Sequence, residues 1–234
     1  MYGIIYNDKH SYKDFDVTIL KNRTIELPVK NKVVESVPFM NGSYDFSNLY
    51  GSPTYSNRKL EYTFLIKAKN STLLEIKKIQ LDIWLYGTNE KTPLVDDNLK
   101  GFYYLAECVD SKINEETNTF MTVTYTFEAY PFRLGDAYEG NNLWDSFNFE
   151  IDILQDTSFN VDGTKTVDIY NTSSIDIEPT IIASSSFEIA RNGKTFKVNA
   201  GEYKGFMFRL KKGNNKLTLK GNGSIEFRFR KEVL

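Results

Sequence analysis

The chain is poor in the residues from which metal sites and nucleophilic centres are built. Its 234 residues include one cysteine, Cys108, and one histidine, His10. A single thiol excludes an intramolecular disulfide and a zinc site made of several thiolates, and a single imidazole excludes a site with two histidine ligands. No serine lies in a G-x-S-x-G turn. Cys108 is therefore interpreted as a small core residue, and His10 as a turn residue that bonds nearby backbone.

Clustered positive charge and long apolar runs are also missing. The net charge is −2, and no run of Lys and Arg exceeds two residues. Binding to a nucleic-acid backbone relies on clustered basic residues, so direct DNA binding is not predicted. No apolar run approaches the about 20 residues of a membrane-spanning helix. The N-terminus lacks the basic-then-apolar order of a signal peptide. We expect a soluble protein that is made in a cytoplasm.

Carboxylate pairs suited to catalysis are scarce as well. The adjacent acidic pairs are Asp96-Asp97 and Glu115-Glu116. Glycoside hydrolysis needs two carboxylates about 5–9.5 Å apart, one of them with a raised pKa. Neighbouring side chains of an extended chain point to opposite sides, so adjacent carboxylates do not converge on one bond. Both pairs are interpreted as solvated charges in polar loops. The sequence predicts no enzyme, no cofactor and no metal site.

Apolar and aromatic residues are abundant, and they alternate with polar ones. The chain is 41% hydrophobic and 15% aromatic, enough for folded cores. Alternation with a period of two indicates half-buried antiparallel strands. Three segments show it most clearly, and their apolar faces are Leu60, Tyr62, Phe64 and Ile66; Met121, Val123, Tyr125, Phe127 and Ala129; and Ile225, Phe227 and Phe229. The sequence therefore predicts a protein built from sheets.

Asn-Gly pairs predict where strands reverse, because both residues tolerate positive φ. Asn192-Gly193 predicts a hairpin between two alternating arms. Asn222-Gly223 predicts a second hairpin, which joins Leu217 and Leu219 to the apolar residues that follow. Asn41-Gly42 is compatible with a hairpin turn or with the tip of a loop.

The segment Ser71 to Tyr86 has helical spacing instead. Its apolar positions three and four residues apart are Leu73, Ile76, Ile79, Ile83 and Tyr86. Thr72 and Glu75 have the spacing of a capping box, and Gly87 follows as a C-terminal stop. We predict a helix over these residues that packs on the first sheet with this stripe, widened by Trp84 and Leu85. Trp84 is either a core residue or a contact with a neighbouring subunit.

A polar, glycine-containing stretch from Gly135 to Asn142 predicts a junction between two domains, residues 1–134 and 135–234. The second domain is predicted to be a β-sandwich of short strands. These strands are Trp144–Leu154, Lys165–Tyr170, Ile177–Ile182, Phe187–Arg191, Thr195–Val198, Lys204–Leu210, Asn215–Leu219 and Ser224–Lys231.

Several motifs follow one another in an order that resembles the distal tail protein family of long-tailed phages and prophages. In the first half they are KHSYKDF (residues 9–15), residues 37–50, RKLEYTF (58–64), WLYG (84–87), YYLAE (103–107) and YPFRL (130–134). In the second half they are VDIYNTSSIDIEPTI (167–181) and GNNKLTLKGNGSIEFRFR (213–230), which are less specific because many small β-sandwiches share such turns.

The resemblance implies a fold and an assembly. The fold is an amino-terminal β-sandwich with one helix, followed by a galectin-like carboxyl-terminal β-sandwich. The assembly is a hexameric ring at the far end of a viral tail. Such a ring joins the tail tube protein to the tail-associated lysin or hub protein, and receptor-binding proteins attach around it. DNA passes through the lumen without specific binding, and no membrane is involved.

A closed ring needs two different surfaces that meet head to tail. The candidate assembly residues are Phe39, Met40, Tyr44, Phe46, Tyr50, Arg58 and Trp84. Large apolar groups in a turn-rich segment are typical of interface anchors, although the loop could also fold over its own domain. We also expect the edges of Arg58–Lys67 and Phe120–Tyr130 to pair with a neighbouring subunit.

A carbohydrate-binding module for host cell-wall recognition is the alternative function. Exposed aromatic residues such as Trp144, Phe147 and Phe149 would then stack against sugar rings. The same residues serve equally well as a core. About a hundred residues follow Leu134, the size of one plain sandwich, so no inserted sugar-binding module is expected.

Overall fold

The computed structural model of the chain describes residues 2–21, 23–49, 53–141, 148–205 and 207–234. The chain divides into two compact units, Met1–Arg133 with Leu234, and Leu134–Val233. The sequence prediction places the boundary one residue later, after Leu134. The architecture is mainly β, and the predicted fold class is confirmed.

The first unit is an antiparallel sheet with one long helix. Its main strands have the order β2-β1-β8-β9-β10-β7-β3, and β4 also pairs with β7. The elements are β1 (Ile4–Tyr6), β2 (Lys9–His10), α1 (Ser11–Phe15), β3 (Thr18–Ile19), β4 (Thr24–Ile25), β5 (Val34–Glu35), β6 (Tyr44–Asp45), β7 (Arg58–Lys67), α2 (Ser71–Tyr86), β8 (Thr92–Asp96), β9 (Phe102–Glu116) and β10 (Phe120–Ala129).

The core of the first unit lies on the face predicted from alternation. The apolar residues of β7 and β10 named above are all fully buried. The two strands pair in register, so that Tyr62 lies opposite Tyr125 and Phe64 opposite Val123. The rings of Phe64 and Tyr125 meet edge to face, with centroids 5.5 Å apart. Aromatic pairs of this geometry add to the stabilisation from burial.

The predicted helix is confirmed, with the predicted bounds, but it packs with its other face. α2 buries Leu74, Leu81, Trp84 and Leu85, whereas the five residues of the predicted stripe are exposed. Its cap is Asn70, whose Oδ1 accepts a hydrogen bond from Leu73 N at 2.9 Å, rather than a Thr72-Glu75 capping box. Gly87 ends the helix, where a Cβ atom would lie 2.6 Å from the Ile83 carbonyl oxygen.

His10 has the structural role expected of it. Its Nδ1 caps α1 by accepting hydrogen bonds from Tyr12 N at 3.0 Å and Lys13 N at 3.3 Å. With Nδ1 occupied as an acceptor, Nε2 carries the proton and donates to Asp97 Oδ2 at 3.0 Å. The imidazole therefore joins the start of the chain to the end of β8.

The second unit contains no α-helix among its described residues. Its sheet has the order β15-β14-β17-β13-β16, with β12 paired along β17. Its buried side chains form a core separate from that of the first unit. The strands of this sheet are β12 (Ser158–Asn171), β13 (Thr180–Ala183), β14 (Phe187–Arg191), β15 (Lys194–Val198), β16 (Gly201–Tyr203) and β17 (Gly213–Arg228). Two short strands outside it, β11 (Arg133–Gly135) and β18 (Glu232–Val233), pair with each other.

One of the two predicted hairpins in this unit is confirmed. β14 and β15 pair around Asn192-Gly193, with Phe187 opposite Val198 and Ile189 opposite Phe196. Both turn residues have positive φ, +49° and +76°, as a two-residue turn of type I′ requires.

The prediction of a hairpin at Asn222-Gly223 is wrong, because the chain continues through these residues as part of the single strand β17. This strand pairs with β12 without interruption, and Gly221 lies opposite Gly163. The glycines serve close approach instead of reversal. A Cβ atom on Gly221 would lie 2.6 Å from the Phe187 ring and 2.8 Å from the Ser186 carbonyl oxygen.

Two further strand predictions are wrong. Within Trp144–Leu154 the described residues, 148–154, form turns and irregular chain. In Lys204–Leu210 the described residues form no strand beyond an isolated bridge of Leu210 with Ile177, and the strand lies earlier, at β16. The other predicted strands coincide with or overlap β12, β13, β14, β15 and β17.

Replacing Gly221 with alanine should destabilise the second unit by about 2 kcal/mol, because the methyl group must displace the Phe187 ring or the neighbouring backbone. Gly163→Ala, on the partner strand, is the matched control. Its Cβ would meet no atom within 4 Å, so only the left-handed backbone (φ +76°) opposes it, at a cost of about 1 kcal/mol. Chemical denaturation, monitored by hydrogen exchange of peptides from β17, measures the loss of stability in both variants. Equal losses would contradict the close-approach explanation.

Candidate assembly surfaces

A hairpin arm extends from the first unit between β4 and β7. It comprises residues 27–49 and 53–57, and its two sides pair through β5 and β6 and through a bridge between Lys30 and Tyr55. Its exposed large apolar residues are Leu27, Val29, Val33, Val34, Val37, Phe39, Tyr44, Phe46 and Leu49. None of these belongs to the core of the unit. A two-stranded ribbon is marginally stable in water, so this arm needs an apolar surface to pack against.

The tip of the arm presents Phe39. This side chain is fully exposed, at 108% of its reference area, and its backbone has φ +65°. A left-handed conformation costs a bulky residue about 1–3 kcal/mol and is found at functional sites. Residues 36–43 include no charged side chain. Met40 N donates to Val37 O at 3.1 Å, which closes the turn around Phe39.

The outer face of α2 is a second unpartnered apolar surface. Its residues are Ile76, Ile79, Ile83 and Tyr86, at helical spacing, and Leu73 flanks them. The nearby charges are largely compensated within the chain. Lys77 pairs with Asp16 at 3.3 Å, and Lys78 with Asp82 at 2.6 Å. A helix that is apolar on two sides is typically covered on both.

An open depression of about 610 Å³ adjoins this face at the C-terminal end of α2. Its apolar part is formed by Phe15, Ile83 and Trp84. The rings of Phe15 and Trp84 stack with centroids 4.5 Å apart. Lys9 and Asp14 supply charged groups to its lining. The depression can therefore hold an apolar side chain on an aromatic wall.

The distal half of β9 extends beyond the end of its neighbour β8. β8 pairs with β9 only at residues 104–106. Along residues 107–116, the registers place β10 on one side of β9, while β8 ends before this stretch on the other side. The prediction that β7 and β10 offer edges is wrong. β10 lies between β9 and β7, and the other edge of β7 pairs with β3 and β4. A strand edge such as the distal edge of β9 can accept a strand from another molecule.

The candidate residues of the loop lie on the arm. Phe39, Tyr44 and Phe46 are exposed, and the last two stack with ring centroids 6.1 Å apart. Met40 is partly buried. Tyr50 lies outside the described residues. The alternative that this loop folds over its own domain does not fit the exposure of its aromatic side chains.

Arg58 and Trp84 require a correction, since both are buried in the first unit. The guanidinium group of Arg58 lies over the Tyr104 ring, 5.6 Å from its centroid, and burial lowers the pKa of this arginine. The indole Nε1 of Trp84 donates to Tyr6 O at 2.7 Å. Arg58 is therefore enclosed in the unit. Trp84 is mainly a core residue, as one of its two interpretations predicted, and part of it borders the depression beside Phe15 and Ile83.

The sequence reasoning missed the outer face of α2 and the edge of β9 as surfaces. The residues of the α2 face were identified, but they were assigned to the core. A signal was available, because Leu74, Leu81 and Leu85 form a second apolar stripe on the opposite side of the same helix. The edge of β9 left no such signal, since strand order depends on pairing between distant segments.

The acidic pairs serve structure or lie in solvent. Asp96 is buried, contrary to the prediction of a solvated charge, and it accepts hydrogen bonds from Tyr2 and Tyr62, each at 3.1 Å. It also forms an ion pair with Arg23. Burial, together with the Asp96 charge, raises the pKa of Tyr2 to about 12. Glu115 and Glu116 are exposed, but they lie in β9 rather than in a loop.

Other candidate chemistry is sparse in the described residues. They contain no group of three His, Cys, Asp or Glu side chains suited to a metal ion, and none of their helices is long and apolar enough to span a membrane. Cys108 is buried, and this burial raises the pKa of its thiol to about 12. Of the proposed sugar-stacking residues, Trp144 and Phe147 lie outside the described residues, and Phe149 is exposed.

Comparison with solved structures finds the same fold in a phage tail protein. The chain is similar to the SPP1 Dit (gp 19.1) protein, whose crystal structure is described as a paradigm of the hub adsorption apparatus in Gram-positive infecting phages. The TM-score is 0.67, the superposition covers 100% of both chains, and 13% of the residues are identical. At this identity the likeness establishes the fold, and at that level the resemblance to distal tail proteins is confirmed. No protein-family model and no curated protein sequence matches the chain.

Proposed function

We propose that the chain is a structural component of a phage tail tip and that six copies form a ring through the first unit. The observation that carries the proposal is the full-length fold shared with a tail protein of the phage adsorption apparatus. Three features of the first unit support self-association: the arm, the outer face of α2 and the edge of β9 that extends beyond β8. They differ from one another, as a head-to-tail interface requires.

In this role the ring continues the tail tube and joins it to the tail-associated lysin or hub protein, and receptor-binding proteins attach around it. The chain then works by binding rather than by catalysis. Its net charge of −2 is compatible with a lumen that lets DNA pass without holding its backbone, since tight backbone binding needs clustered basic side chains.

Electron microscopy of the purified protein tests the ring directly. We expect closed particles with six-fold symmetry and a central channel, and native mass spectrometry should give six times the chain mass of 27.0 kDa. The second unit expressed alone should stay monomeric, because these three features belong to the first unit. The proposal would be contradicted if the protein remained monomeric at micromolar concentration, both by itself and with the tail-associated lysin or hub protein added.

A further inference from the structure

The outer face of α2 and the adjoining depression form one continuous surface. Ile83 belongs to both, and Trp84 connects the wall of the depression to the core. The polar groups beside the face, Lys78 and Asp82, already pair with each other, and Asp82 also accepts a hydrogen bond from Tyr125 at 2.6 Å. Lys9 and Asp14 line the depression and also have contacts within the chain: Lys9 Nζ lies 5.7 Å from the Phe15 ring centroid, and Asp14 accepts a hydrogen bond from His10 N at 2.6 Å. The apolar remainder of the surface favours an uncharged occupant with at least one bulky side chain.

The tip of the arm has that chemistry. Residues 36–43 are uncharged and contain Val37, Phe39 and Met40. Backbone pairs along the arm hold the tip in place: Phe46 N donates to Val33 O at 2.8 Å, and Asn31 N to Thr54 O at 2.9 Å. An exposed aromatic side chain at the tip of such a ribbon makes a good anchor, because it removes a large apolar area from water on binding.

We infer that Phe39 of one copy inserts into the Phe15–Ile83–Trp84 depression of the next copy, and that the rest of its arm tip covers the outer face of α2. The occupant is a second copy because the chain itself carries both halves of the contact, a projecting apolar tip and a recessed apolar surface. Two different patches that meet repeatedly generate a ring when the rotation closes. The inference rests on the proposed ring and specifies which surfaces close it.

Two single variants test this contact, Phe39→Asp on the arm and Ile83→Glu on the helix. Each leaves the other surface intact. At a concentration at which the unmodified protein forms rings, each variant alone should be monomeric in analytical ultracentrifugation. We expect the dissociation constant of the contact to rise by about 30-fold or more, as for an interface anchor.

Mixing the two variants gives the decisive result. The Phe39→Asp copy still has a functional α2 face, and the Ile83→Glu copy still has a functional arm. An equimolar mixture should therefore form a dimer through one unmodified junction, and it should not grow further. Both side chains are exposed, so the fold should survive, as circular dichroism can establish. Ile79→Glu provides a second helix variant.

The control is Met207→Glu, which places the same charge at an equally exposed apolar residue of the second unit; Met207 is 67% exposed and Ile83 is 69% exposed. It should leave the ring intact. If the unmodified protein forms rings, and Phe39→Asp and Ile83→Glu each form rings as well, the inference is wrong while the proposed function stands. The same conclusion follows if both variants are monomeric and their mixture stays monomeric. If the unmodified protein never assembles, the proposed function itself fails.

Discussion

Replacing Trp84 with alanine should destabilise the first unit by about 3–5 kcal/mol, the usual cost of removing a large aromatic residue from a core. The change removes the stacking on Phe15, the edge contact with Tyr6 and the hydrogen bond to the Tyr6 carbonyl oxygen. It also leaves a cavity between α2 and β1. Denaturation followed by peptide-resolved hydrogen exchange measures the loss, because it reports each unit separately.

The pattern of loss separates a core role from a surface role for this tryptophan. Protection should fall in peptides of the first unit and persist in those of the second unit. Trp84→Phe keeps an aromatic ring and removes the N–H donor, so it should cost about 1–3 kcal/mol through the unpaired Tyr6 carbonyl and the smaller side chain. Normal stability in Trp84→Ala would instead show that this side chain does not hold the core together.

Replacing Asp96 with alanine should lower the free energy of unfolding by a similar amount, about 3–5 kcal/mol. The change leaves the Arg23 guanidinium group and the hydroxyl groups of Tyr2 and Tyr62 without their acceptor. Tyr62 is fully buried and donates to this carboxylate, as does the partly buried Tyr2. Burial, assisted by Asp96, raises the pKa of Tyr62 well above its ordinary value, so the phenol remains a donor. Thermal and chemical unfolding of the first unit measure the loss.

The neighbouring carboxylate supplies the control. Asp97 accepts hydrogen bonds from Gly3 N at 2.9 Å and from His10 at 3.0 Å, but it is one-third exposed. Water can replace its bonds, so Asp97→Ala should cost about 1 kcal/mol. If the two alanine variants were equally stable, Asp96 would not organise the start of the chain, and the solvated-pair interpretation would regain support.

The two Asn-Gly pairs of the second unit show what sequence periodicity can decide. In a hairpin with a two-residue turn at 192–193, the two residue numbers of every facing pair add up to 385, as for Phe187 and Val198. Odd positions therefore face even ones, and the apolar residues change parity across that turn. Around Asn222-Gly223 they do not: Leu219 and Ile225 are both odd and both buried. A hairpin there would have placed apolar and charged residues on one face, so the parity already favoured one continuous strand.

The helix shows a different limit. The 3.6-residue period predicted α2 with its correct bounds, because the period depends on local backbone geometry. It could not choose between two apolar faces of one helix, since burial is decided by the sheet beneath. The same reason explains why the edge of β9 was missed, and why Asp96 was taken for a solvated residue. Strand order and long-range polar networks arise from segments far apart in the chain, such as Tyr2 with Asp96.

Cys108 makes the molecule convenient for spectroscopy. Its thiol is shielded among the core residues of β9 and keeps its proton at neutral pH, whereas maleimides react with exposed thiolates. A cysteine introduced at an exposed site outside the proposed contact, for example Met207→Cys, would then be the only one to take up a dye. Labelled copies would report subunit exchange by fluorescence transfer without prior removal of the native thiol.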